Sequence, residues 1–420
     1  MSLAARDAKN IWHPYTPQLS PTPLPIVRAE GAYLFDEQGK RYIDAVSSWW
    51  VTLHGHSHPY IVERVSAQLR KLDQVIFAGF THEPAIELAE KLLAIIPDNQ
   101  QKVFYTDNGS TAVEVALKMC VQYWFNTGLP RKKVLAFNHG YHGDTFGAMS
   151  VSGRSAWTAP FGALLFEVIF IDTPTRKNLH DLKQQISIHE QDLACFIYEP
   201  LVQGSAGMLM YDASELSELM KHCRENGVLM IQDEVFTGFG RTGKNFAADY
   251  LEVQPDLLCF SKGLTGGTMP LGITTCTAEI YTAFLSADKM KTLFHGHSFT
   301  ANPLACTAAI ASIELLLQTE AQESIKRIGE KHQAFARQIQ AHPKVKVVRQ
   351  IGTILAIEWE TPGGTSYFSA LRNLLYDFFL EKGILLRPLG NIIYLLPPYC
   401  ITNEDLDEIY GTILEALELF

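Results

Sequence analysis

The chain has 420 residues, which is long enough to bury a large core and to form two domains. Its net charge is −10, with 35 Lys and Arg against 45 Asp and Glu and no basic block, which excludes a typical nucleic-acid-binding protein. No apolar run approaches the roughly 18 residues of a membrane span, and the N-terminus has no apolar signal core. We therefore expect a cytoplasmic protein without a membrane contact.

The first thirty residues are rich in proline, and the run HPYTPQLSPTPLP predicts an irregular, extended segment on the surface of another part of the protein. From about Val103 the pattern changes to short β-rich runs separated by loops and helical stretches. These runs are KVFYT, KVLAFN, EVIFID, ACFIYEP, VLMIQDEV, DLLCFSKG and GITTCT. Such an alternation predicts an α/β fold around a mostly parallel sheet.

Helical periodicity is clearest over residues 111–125 and 214–226. Beyond about Asn302 the pattern predicts one long amphipathic helix, the β-rich run VKVVRQIGTILAIEWE, a second helix and the run ILLRPLGNIIYLLPPY. These elements indicate a smaller α+β unit. We therefore predict a large domain over residues 55–305 and a small domain that combines residues 1–54 with residues 306–420.

Two short motifs in one loop resemble nucleotide-binding sites. Gly238, Gly240 and Gly243 match GxGxxG after the run VLMIQDEV, and Gly243 with Lys244 also ends a match to a phosphate loop. The first match has no following strand that ends in an acid for the ribose. The second has Asn245 where Ser or Thr would bind Mg²⁺. Nucleotide binding is therefore an alternative that lacks its supporting features.

Residues that pyridoxal phosphate chemistry requires follow separate β-rich runs. Lys262 comes after LLCF, where burial would let an amine lose its charge readily, and Asp233 ends VLMIQ, where a carboxylate needs a cation such as a protonated pyridine. Gly109 and Ser110 open a predicted helix whose N-terminus suits a phosphate, and Tyr141 supplies an aromatic ring. Because ligands of α/β folds bind at the carboxyl ends of strands, the joint pattern predicts a pyridoxal phosphate site.

Histidine and cysteine residues form no clear metal or disulfide pattern. His54, His56 and His58 alternate in one run, and His139 and His142 lie close together in another. Both runs are loops beside glycines without acidic partners at ligand spacing, so we predict no metal site. The seven cysteines are scattered and form no CxxC pair, which predicts reduced, buried thiols.

At these residues the chain resembles the class III aminotransferases of the fold-type I pyridoxal phosphate family. The resemblance covers nearly the whole length and is carried by the runs DNGSTAVEVALKM, NHGYHGDTFGAMSVSG, EPLVQGSAGM, DEVFTGFGRTGK and SKGLTGG. It implies that Lys262 forms the Schiff base with the cofactor and that Asp233 binds the pyridine nitrogen. The other implied cofactor contacts are Gly109, Ser110, Tyr141 and Glu199.

Members of this family are homodimers with the active site at the subunit interface, and the resemblance implies the same for this chain. The segment Gly296-His297-Ser298 resembles one whose hydroxyl reaches the phosphate of the cofactor in the neighbouring subunit. His297 stands where proline is usual, and Ser298 stands where threonine is usual. The hydroxyl is therefore retained, whereas the effect of His297 on the turn is an open question.

Finer features are similar to the branch of the family that makes 7,8-diaminononanoate in biotin synthesis. They are the runs WHPYT, SSWWVTLHGHSHP, THEPAIELAEKL and RPLGNIIYLLPPY. The resemblance implies 8-amino-7-oxononanoate and S-adenosyl-L-methionine as substrates, with Arg387 binding the carboxylate of the keto acid. The implied substrate contacts are Tyr15, Trp49, Trp50, Tyr141, Asp144, Lys262, Gly296, Arg387 and Tyr394. Core packing is the alternative for one of the two adjacent tryptophans, since neighbours on a strand face opposite ways.

The predicted reaction is a ping-pong transamination in which Lys262 moves a proton, first as general base and then as general acid. The main alternative is another class III aminotransferase that acts on an ω-amino acid such as ornithine or 4-aminobutyrate. A protein of the same fold that binds the cofactor without catalysis is a further alternative. The amino donor is open between S-adenosyl-L-methionine and lysine.

Overall fold

The computed structural model describes residues 1–19 and 22–420. Within these ranges the strands are, in chain order, β1 (Ile26–Glu30), β2 (Tyr33–Asp36), β3 (Arg41–Asp44), β4 (Gln100–Thr106), β5 (Lys133–Phe137), β6 (Val168–Ile171), β7 (Leu193–Tyr198), β8 (Val202–Gln203), β9 (Leu209–Met210), β10 (Leu229–Asp233), β11 (Leu257–Phe260), β12 (Gly272–Thr277), β13 (Val345–Ile351), β14 (Ile354–Trp359), β15 (Ile384–Leu385) and β16 (Ile392–Leu395).

The regular helices of the same residues are Leu3–Asn10, Pro59–Lys71, Glu83–Leu93, Gly109–Asn126, Phe146–Val151, Leu179–His189, Ala213–Glu225, Ala278–Thr282, Pro303–Leu316, Thr319–Ile339, Leu371–Glu381 and Asn403–Leu419. Short 3₁₀ turns are formed by Ala159–Leu164, Ala247–Tyr250, Lys262–Thr265 and Lys289–Lys291. A further short segment, Ser47–Trp50, is a tight turn, since its backbone is non-helical at Ser48 and Trp49.

Seven strands form the central sheet in the order β4-β12-β11-β10-β7-β5-β6. Each of the seven β-rich runs in the middle of the sequence supplies one of these strands. β6, β5, β7, β10 and β11 are parallel neighbours, whereas β12 is antiparallel to β11 and to β4. Helices cover the sheet, and β7 and β10 are buried along their whole length, which explains their continuous apolar sequences. The predicted α/β class with a mostly parallel sheet is confirmed.

The carboxyl ends of the parallel strands meet at one edge of this sheet. β5 ends at Phe137, β7 at Tyr198, β10 at Asp233 and β11 at Phe260. β4 runs in the same direction as β11 because both pair antiparallel with β12, so its end at Thr106 lies at the same edge. The loops that follow these strands therefore converge on one place.

The two ends of the chain are joined through smaller sheets. One sheet has the order β1-β2-β3-β15, in which Ile384 of the C-terminal part pairs with Ile43 in a parallel register. Another has the order β13-β14-β16 and is antiparallel throughout. The pairing of Ile384 with Ile43 brings residues near 385 beside the segment that follows β3. The domain boundaries at residues 54–55 and 305–306 remain a prediction.

The prediction for the N-terminal thirty residues was partly wrong. Leu3–Asn10 forms a helix, because the side chain of Ser2 accepts a hydrogen bond from the backbone N–H of Ala5 at its first turn. Ile26–Glu30 forms a strand that pairs with β2. Residues 13–19 and 22–25 are irregular, as predicted, and Ser20 and Pro21 lie outside the described residues.

The single long helix predicted after Asn302 is two helices, Pro303–Leu316 and Thr319–Ile339, which meet at an angle of 70°. The first is buried on nearly every side, because it packs against Pro59–Lys71, Glu83–Leu93 and the turn at Lys262. The second is the amphipathic one. Over the described residues, no single helix has the length and apolar character needed to cross a membrane. Only this bent pair of helices, taken together, has that length and composition.

Candidate active site

Lys262 follows β11 and lies at the floor of a cavity at the carboxyl edge of the central sheet. Its backbone adopts a left-handed conformation with φ of +45°, which is strained for a residue other than glycine and is characteristic of functional sites. The Nζ atom lies 4.6 Å from the ring centroid of Trp50 and 5.6 Å from that of Phe236. Burial lowers the pKa of the Lys262 amine to about 8, although Asp233 and Glu199 act in the opposite direction.

Asp233 is the last residue of β10, and its side chain is buried beside His142. The Nδ1 atom of His142 lies 2.7 Å from Oδ2 of Asp233, and both side chains are almost completely inaccessible to solvent. The other carboxylate oxygen accepts a hydrogen bond of 3.0 Å from the backbone N–H of Val235. A buried carboxylate at this position is a strong acceptor for a cationic N–H group.

The helix Gly109–Asn126 points its N-terminus into the cavity. Asn108 and Thr111 cap it reciprocally, which fixes the start of the helix at Gly109. The hydroxyl of Ser110 accepts a hydrogen bond of 3.2 Å from the backbone N–H of Asp144. Gly143 packs so closely on this serine that a Cβ atom there would lie 2.0 Å from its Oγ. The free N–H groups, the helix dipole and the hydroxyl together suit a phosphate.

Tyr141 and Glu199 are linked in the same cavity. Oε2 of Glu199 accepts a hydrogen bond of 2.9 Å from the backbone N–H of Tyr141, and Oε1 accepts one of 3.0 Å from Gly204. Burial raises the pKa of Glu199 to about 7. Burial and the neighbouring Tyr15 also raise the pKa of the Tyr141 hydroxyl, so that this phenol stays protonated. Glu199 therefore positions the loop that carries Tyr141.

The cavity has a volume of about 460 Å³ and combines an amine, a carboxylate and a helix N-terminus. It is lined by Trp50, Val51, Asp107, Asn108, Gly109, Ser110, Tyr141, His142, Gly143, Glu199, Asp233, Val235, Phe236, Ser261, Lys262, Thr265, Gly267, Thr268, Met269, Pro270 and Leu271. A phosphorylated pyridine aldehyde needs these three groups, for its carbonyl, its ring nitrogen and its phosphate. The residues present therefore fit pyridoxal phosphate.

A second group of predicted residues forms an aromatic cluster around Trp49. The guanidinium carbon of Arg387 lies 3.9 Å from the centroid of the Trp49 ring, and the Tyr15 ring packs edge-on against it at 5.6 Å. The hydroxyl of Tyr15 donates to the carboxylate of Asp144 and lies 3.4 Å from that of Tyr141. The cluster therefore connects the guanidinium of Arg387 to the loop that contains Tyr141 and Asp144.

The two adjacent tryptophans have different environments. Trp50 is 6% exposed and lines the cavity, whereas Trp49 is 39% exposed and its ring lies against the guanidinium of Arg387. The indole N–H of Trp50 donates a hydrogen bond of 3.0 Å to the hydroxyl of Tyr394. Trp50 therefore packs in the core and also lines the cavity. The two interpretations of the tryptophan pair, core packing and substrate contact, are compatible for this residue.

Gly296, His297 and Ser298 do not line the cavity of this chain. The backbone N–H of His297 donates to Oγ1 of Thr300 at 3.0 Å, and its Nδ1 accepts from the backbone N–H of Phe299 at 3.2 Å. Proline could not donate the first of these bonds, so His297 stabilises the turn by a different route. The backbone carbonyl of Ser298 accepts from the side chain of Gln74 at 2.7 Å.

The loop that matched the nucleotide motifs is buried up to its fifth residue, whereas Gly243 and the lysine after it are exposed. Arg241 is almost completely inaccessible and donates to the backbone carbonyl of Pro397 at 2.9 Å. Gly243 packs against the backbone of Gly352, which a Cβ atom would approach to 3.2 Å. Because a nucleotide phosphate needs an open loop, the burial of the residues before Gly243 disfavours the GxGxxG alternative.

Several histidines of the two runs contact side chains from other segments. Over residues 1–19 and 22–420, no three His, Cys, Asp or Glu side chains are arranged to hold a metal ion. Oγ of Ser312 lies 3.2 Å from Nε2 of the buried His54. His56, for which we expected no acidic partner, pairs with Asp44 at 2.8 Å. The partner was not foreseen because the two residues are twelve positions apart and meet only across the turn between them.

Sequence reasoning missed several residues of the cavity. His142, Val235 and Phe236 each follow a predicted site residue closely in the chain, and all three contact or line the site. A rule that included the five residues after each strand end would have found them. Thr265 ends the turn that begins at Lys262, Thr268 lies beyond it, and neither carried a comparable signal.

Comparisons with known proteins concern the family and the fold of this chain. Residues 15–417 match the family model described as Aminotransferase class-III. The adenosylmethionine-8-amino-7-oxononanoate aminotransferase of Synechococcus elongatus is 47% identical, over 97% of this chain and 98% of that protein. The crystal structure of the enzyme of that name from Methanocaldococcus jannaschii has a TM-score of 0.93 at 39% identity and covers 98% of both chains.

An amine transaminase from an uncultivated Pseudomonas species, solved in a pyridoxal phosphate-bound form, is also similar. It has a TM-score of 0.91 and 30% identity, over 97% of this chain and 98% of that one. The fold is thus shared with chains that differ in the substrates their names give.

Proposed function

This chain belongs to the class III aminotransferases, and from that premise we propose that it converts 8-amino-7-oxononanoate into 7,8-diaminononanoate in biotin synthesis. The observation that carries the proposal is the position of Arg387 on the face of Trp49, beside the Lys262 cavity. A guanidinium held there can take the terminal carboxylate of a long keto acid, while the aromatic rings of Trp49, Trp50 and Tyr15 contact its aliphatic chain.

Pyridoxal phosphate is the cofactor, and when bound it supplies an electron sink for the carbon that carries the amino group. Asp233, held by His142, would keep a proton on the pyridine nitrogen. Ser110 and the N-terminus of the helix that starts at Gly109 would bind the phosphate. Tyr141, whose loop is fixed by Glu199, would lie against the ring.

Lys262 is proposed to move the proton of the reaction. Because its pKa is lowered to about 8, the neutral fraction of the amine near neutral pH is far larger than that of an ordinary lysine, and the neutral form can accept a proton. Nζ would take the proton from the amino-bearing carbon of the donor in the first half-reaction. In the second half-reaction the same atom would return a proton to the corresponding carbon of the product.

S-adenosyl-L-methionine is proposed as the amino donor, on the basis of the relatives' names. The substrate contacts would be Tyr15, Trp49, Trp50, Tyr141, Asp144, Lys262, Arg387 and Tyr394. Tyr15 and Asp144 are hydrogen-bonded to each other and Tyr394 to Trp50, so that each contact is held by a neighbour. Gly296 would contribute from a second copy of the chain.

We also propose that the protein is a cytoplasmic homodimer. Large apolar side chains are exposed in the two segments that meet where Gln74 donates to the Ser298 carbonyl, with Ile76 and Phe80 each 60%, Phe294 66% and Phe299 63% exposed. A second copy that covers this surface would place its own Ser298 and His297 near the cofactor phosphate. All seven cysteines lie in the described residues and are unpaired, six of them buried, as expected of a reducing compartment.

The purified protein, loaded with pyridoxal phosphate, tests the function directly. We expect 7,8-diaminononanoate from 8-amino-7-oxononanoate and S-adenosyl-L-methionine, measured by mass spectrometry, and no product from Lys262→Ala. Lysine in place of S-adenosyl-L-methionine tests the donor separately. Turnover of ornithine or 4-aminobutyrate without turnover of 8-amino-7-oxononanoate would instead assign an ω-amino acid substrate. Light scattering tests the dimer.

A further inference from the structure

The turn that carries the two tryptophans is strained. Ser47, Ser48 and Trp50 have positive φ values of 52°, 60° and 70°, although none of them is glycine. Left-handed conformations at such residues persist only where the surrounding contacts hold them, and they concentrate at functional sites. Contacts from outside the turn must therefore hold it in this conformation.

Asp44, the last residue of β3, precedes the turn and holds it through hydrogen bonds to backbone N–H groups. Its carboxylate is completely buried, and Oδ1 accepts hydrogen bonds from the backbone N–H groups of Val46 at 3.2 Å and of Ser48 at 2.9 Å. Oδ2 lies 2.7 Å from the same N–H of Ser48. Bonds between a carboxylate and backbone N–H groups are stronger than bonds between neutral groups. Asp44 therefore defines where the turn begins.

His56 in turn orients Asp44. Its Nε2 atom lies 2.8 Å from Oδ2 of Asp44, and its side chain is only 14% exposed. The backbone of His56 is fixed as well, because it exchanges hydrogen bonds of 2.7 and 3.1 Å with Gly31. The imidazole thus reaches the carboxylate from a rigid support and leaves it little freedom to rotate.

The turn has a direct consequence for both parts of the site. It directs Trp50 inward, where the ring faces Nζ of Lys262 at 4.6 Å, and it directs Trp49 outward, where the ring lies under Arg387 at 3.9 Å. The spacing between the amine that reacts and the guanidinium that binds a carboxylate therefore depends on two consecutive residues of one strained turn.

We propose that Asp44 and His56 form a positioning pair that sets the specificity for a terminal carboxylate. By holding the turn Ser47–Trp50, the pair fixes Trp49 under Arg387 and so aligns the guanidinium with the carboxylate of the keto acid. Neither residue contacts the substrate. The inference rests on the proposed function for the identity of that substrate, and it adds residues that act only through Trp49 and Arg387.

The holoenzyme variants Asp44→Asn and His56→Leu test the pair with two substrates, 8-amino-7-oxononanoate and its methyl ester. The ester lacks the negative charge that Arg387 recognises. We expect the KM for the acid to rise about tenfold in both variants, whereas the KM for the ester and both kcat values change by less than about twofold. His56→Gln keeps an N–H group near the position of Nε2 and should restore most of the selectivity.

Asp36→Asn is the matched control. Asp36 is a buried carboxylate of the same sheet that accepts from the backbone N–H groups of Gln38 at 3.0 Å and Lys40 at 2.8 Å, and from the Tyr42 hydroxyl at 2.9 Å. It holds the hairpin between β2 and β3 and not the turn Ser47–Trp50. This variant should lower the Tm without changing the ratio of acid to ester, which separates positioning from general stability.

Calorimetry with nonanoate, a nine-carbon carboxylate without amino or keto groups, separates this inference from the proposed function. The wild-type holoenzyme should bind nonanoate, and Asp44→Asn and His56→Leu should weaken that binding about tenfold. This result supports the pair even if the wild type makes no 7,8-diaminononanoate. Unchanged nonanoate affinity, or equal losses with acid and ester, would overturn it, and His56→Leu decides the matter should Asp44→Asn not fold.

Discussion

His142 and Asp233 form a buried pair in which Nδ1 of the imidazole lies 2.7 Å from Oδ2 of the carboxylate. Asp233 ends β10, whereas His142 lies in the loop after β5, so the pair joins two strand ends of the central sheet across the neighbouring β7. The imidazole occupies one lone pair of the carboxylate and restricts its rotation. The side of Asp233 that faces the cavity is thereby oriented before the cofactor binds.

Replacement of His142 by Phe should weaken the cofactor site. The variant removes one hydrogen bond to a buried charged group, which contributes about 1.5–3 kcal/mol, so we expect the Kd for pyridoxal phosphate to rise by about 10- to 100-fold. Fluorescence titration of the apoenzyme measures this constant. His142→Asn, which keeps an N–H group near the position of Nδ1, should bind more tightly than His142→Phe. Equal affinities of both variants would contradict the role assigned to the pair.

The reactivity of Lys262 should depend on pH with a midpoint near 8. Burial lowers the pKa of this amine to about 8, so the fraction of the reactive neutral form rises as pH increases through that value. The rate of Schiff base formation between the apoenzyme and pyridoxal phosphate should rise over the same range, as followed by stopped-flow absorbance. Because Asp233 raises the pKa, Asp233→Asn should move the midpoint to lower pH. A midpoint near 10.5, the ordinary pKa of a lysine amine, would contradict this account.

Arg387→Ala should weaken recognition of the keto acid. We expect its KM to rise by about 10- to 100-fold, since hydrogen bonds to a charged group contribute about 1.5–3 kcal/mol. Arg387→Lys keeps the charge but not the planar fork that stacks on Trp49, so it should restore only part of the affinity. Steady-state kinetics measure both effects. A full recovery in the lysine variant would show that charge alone is recognised.

Gly143→Ala should impair phosphate binding. A Cβ atom at this position would lie 2.0 Å from Oγ of Ser110, and the φ of +130° is itself unfavourable for alanine. Because Ser110 must move, we expect the Kd for pyridoxal phosphate to rise at least about tenfold. Gly162→Ala is the control, since a Cβ atom there would meet no heavy atom within 4 Å. An unchanged Kd in the Gly143 variant would show that the serine hydroxyl does not bind the phosphate.

Much of the fold was predictable because the central sheet is buried on both faces. Its parallel strands are short, largely apolar runs that end at or just before a polar residue, and Asp233 and Lys262 stand out for that reason. The α/β class and the aminotransferase family were both identified from such runs and motifs, and the comparisons confirm them. The roles of the individual site residues stay predictions, although the structure brings most of them into or beside one cavity.

Other features could not be predicted, because they depend on contacts between distant segments. The break near Leu317 and Gln318 divides a sequence that is helical throughout by periodicity, and packing of Pro303–Leu316 under other helices decides it. Serine and tryptophan normally avoid positive φ, so the residue types at Ser47, Ser48 and Trp50 do not indicate the backbone strain found there. The pairing of His56 with Asp44 appears only once that turn is closed.

The parallel pairing of Ile384 with Ile43 implies an order of events during synthesis of the chain. Asp233, Lys262 and all seven strands of the central sheet, within residues 100–277, leave the ribosome long before Arg387 does. Trp49 is synthesised early, whereas its cationic neighbour Arg387 is synthesised only when almost the whole chain has been translated. The reactive amine is therefore synthesised well before the group proposed to select its substrate.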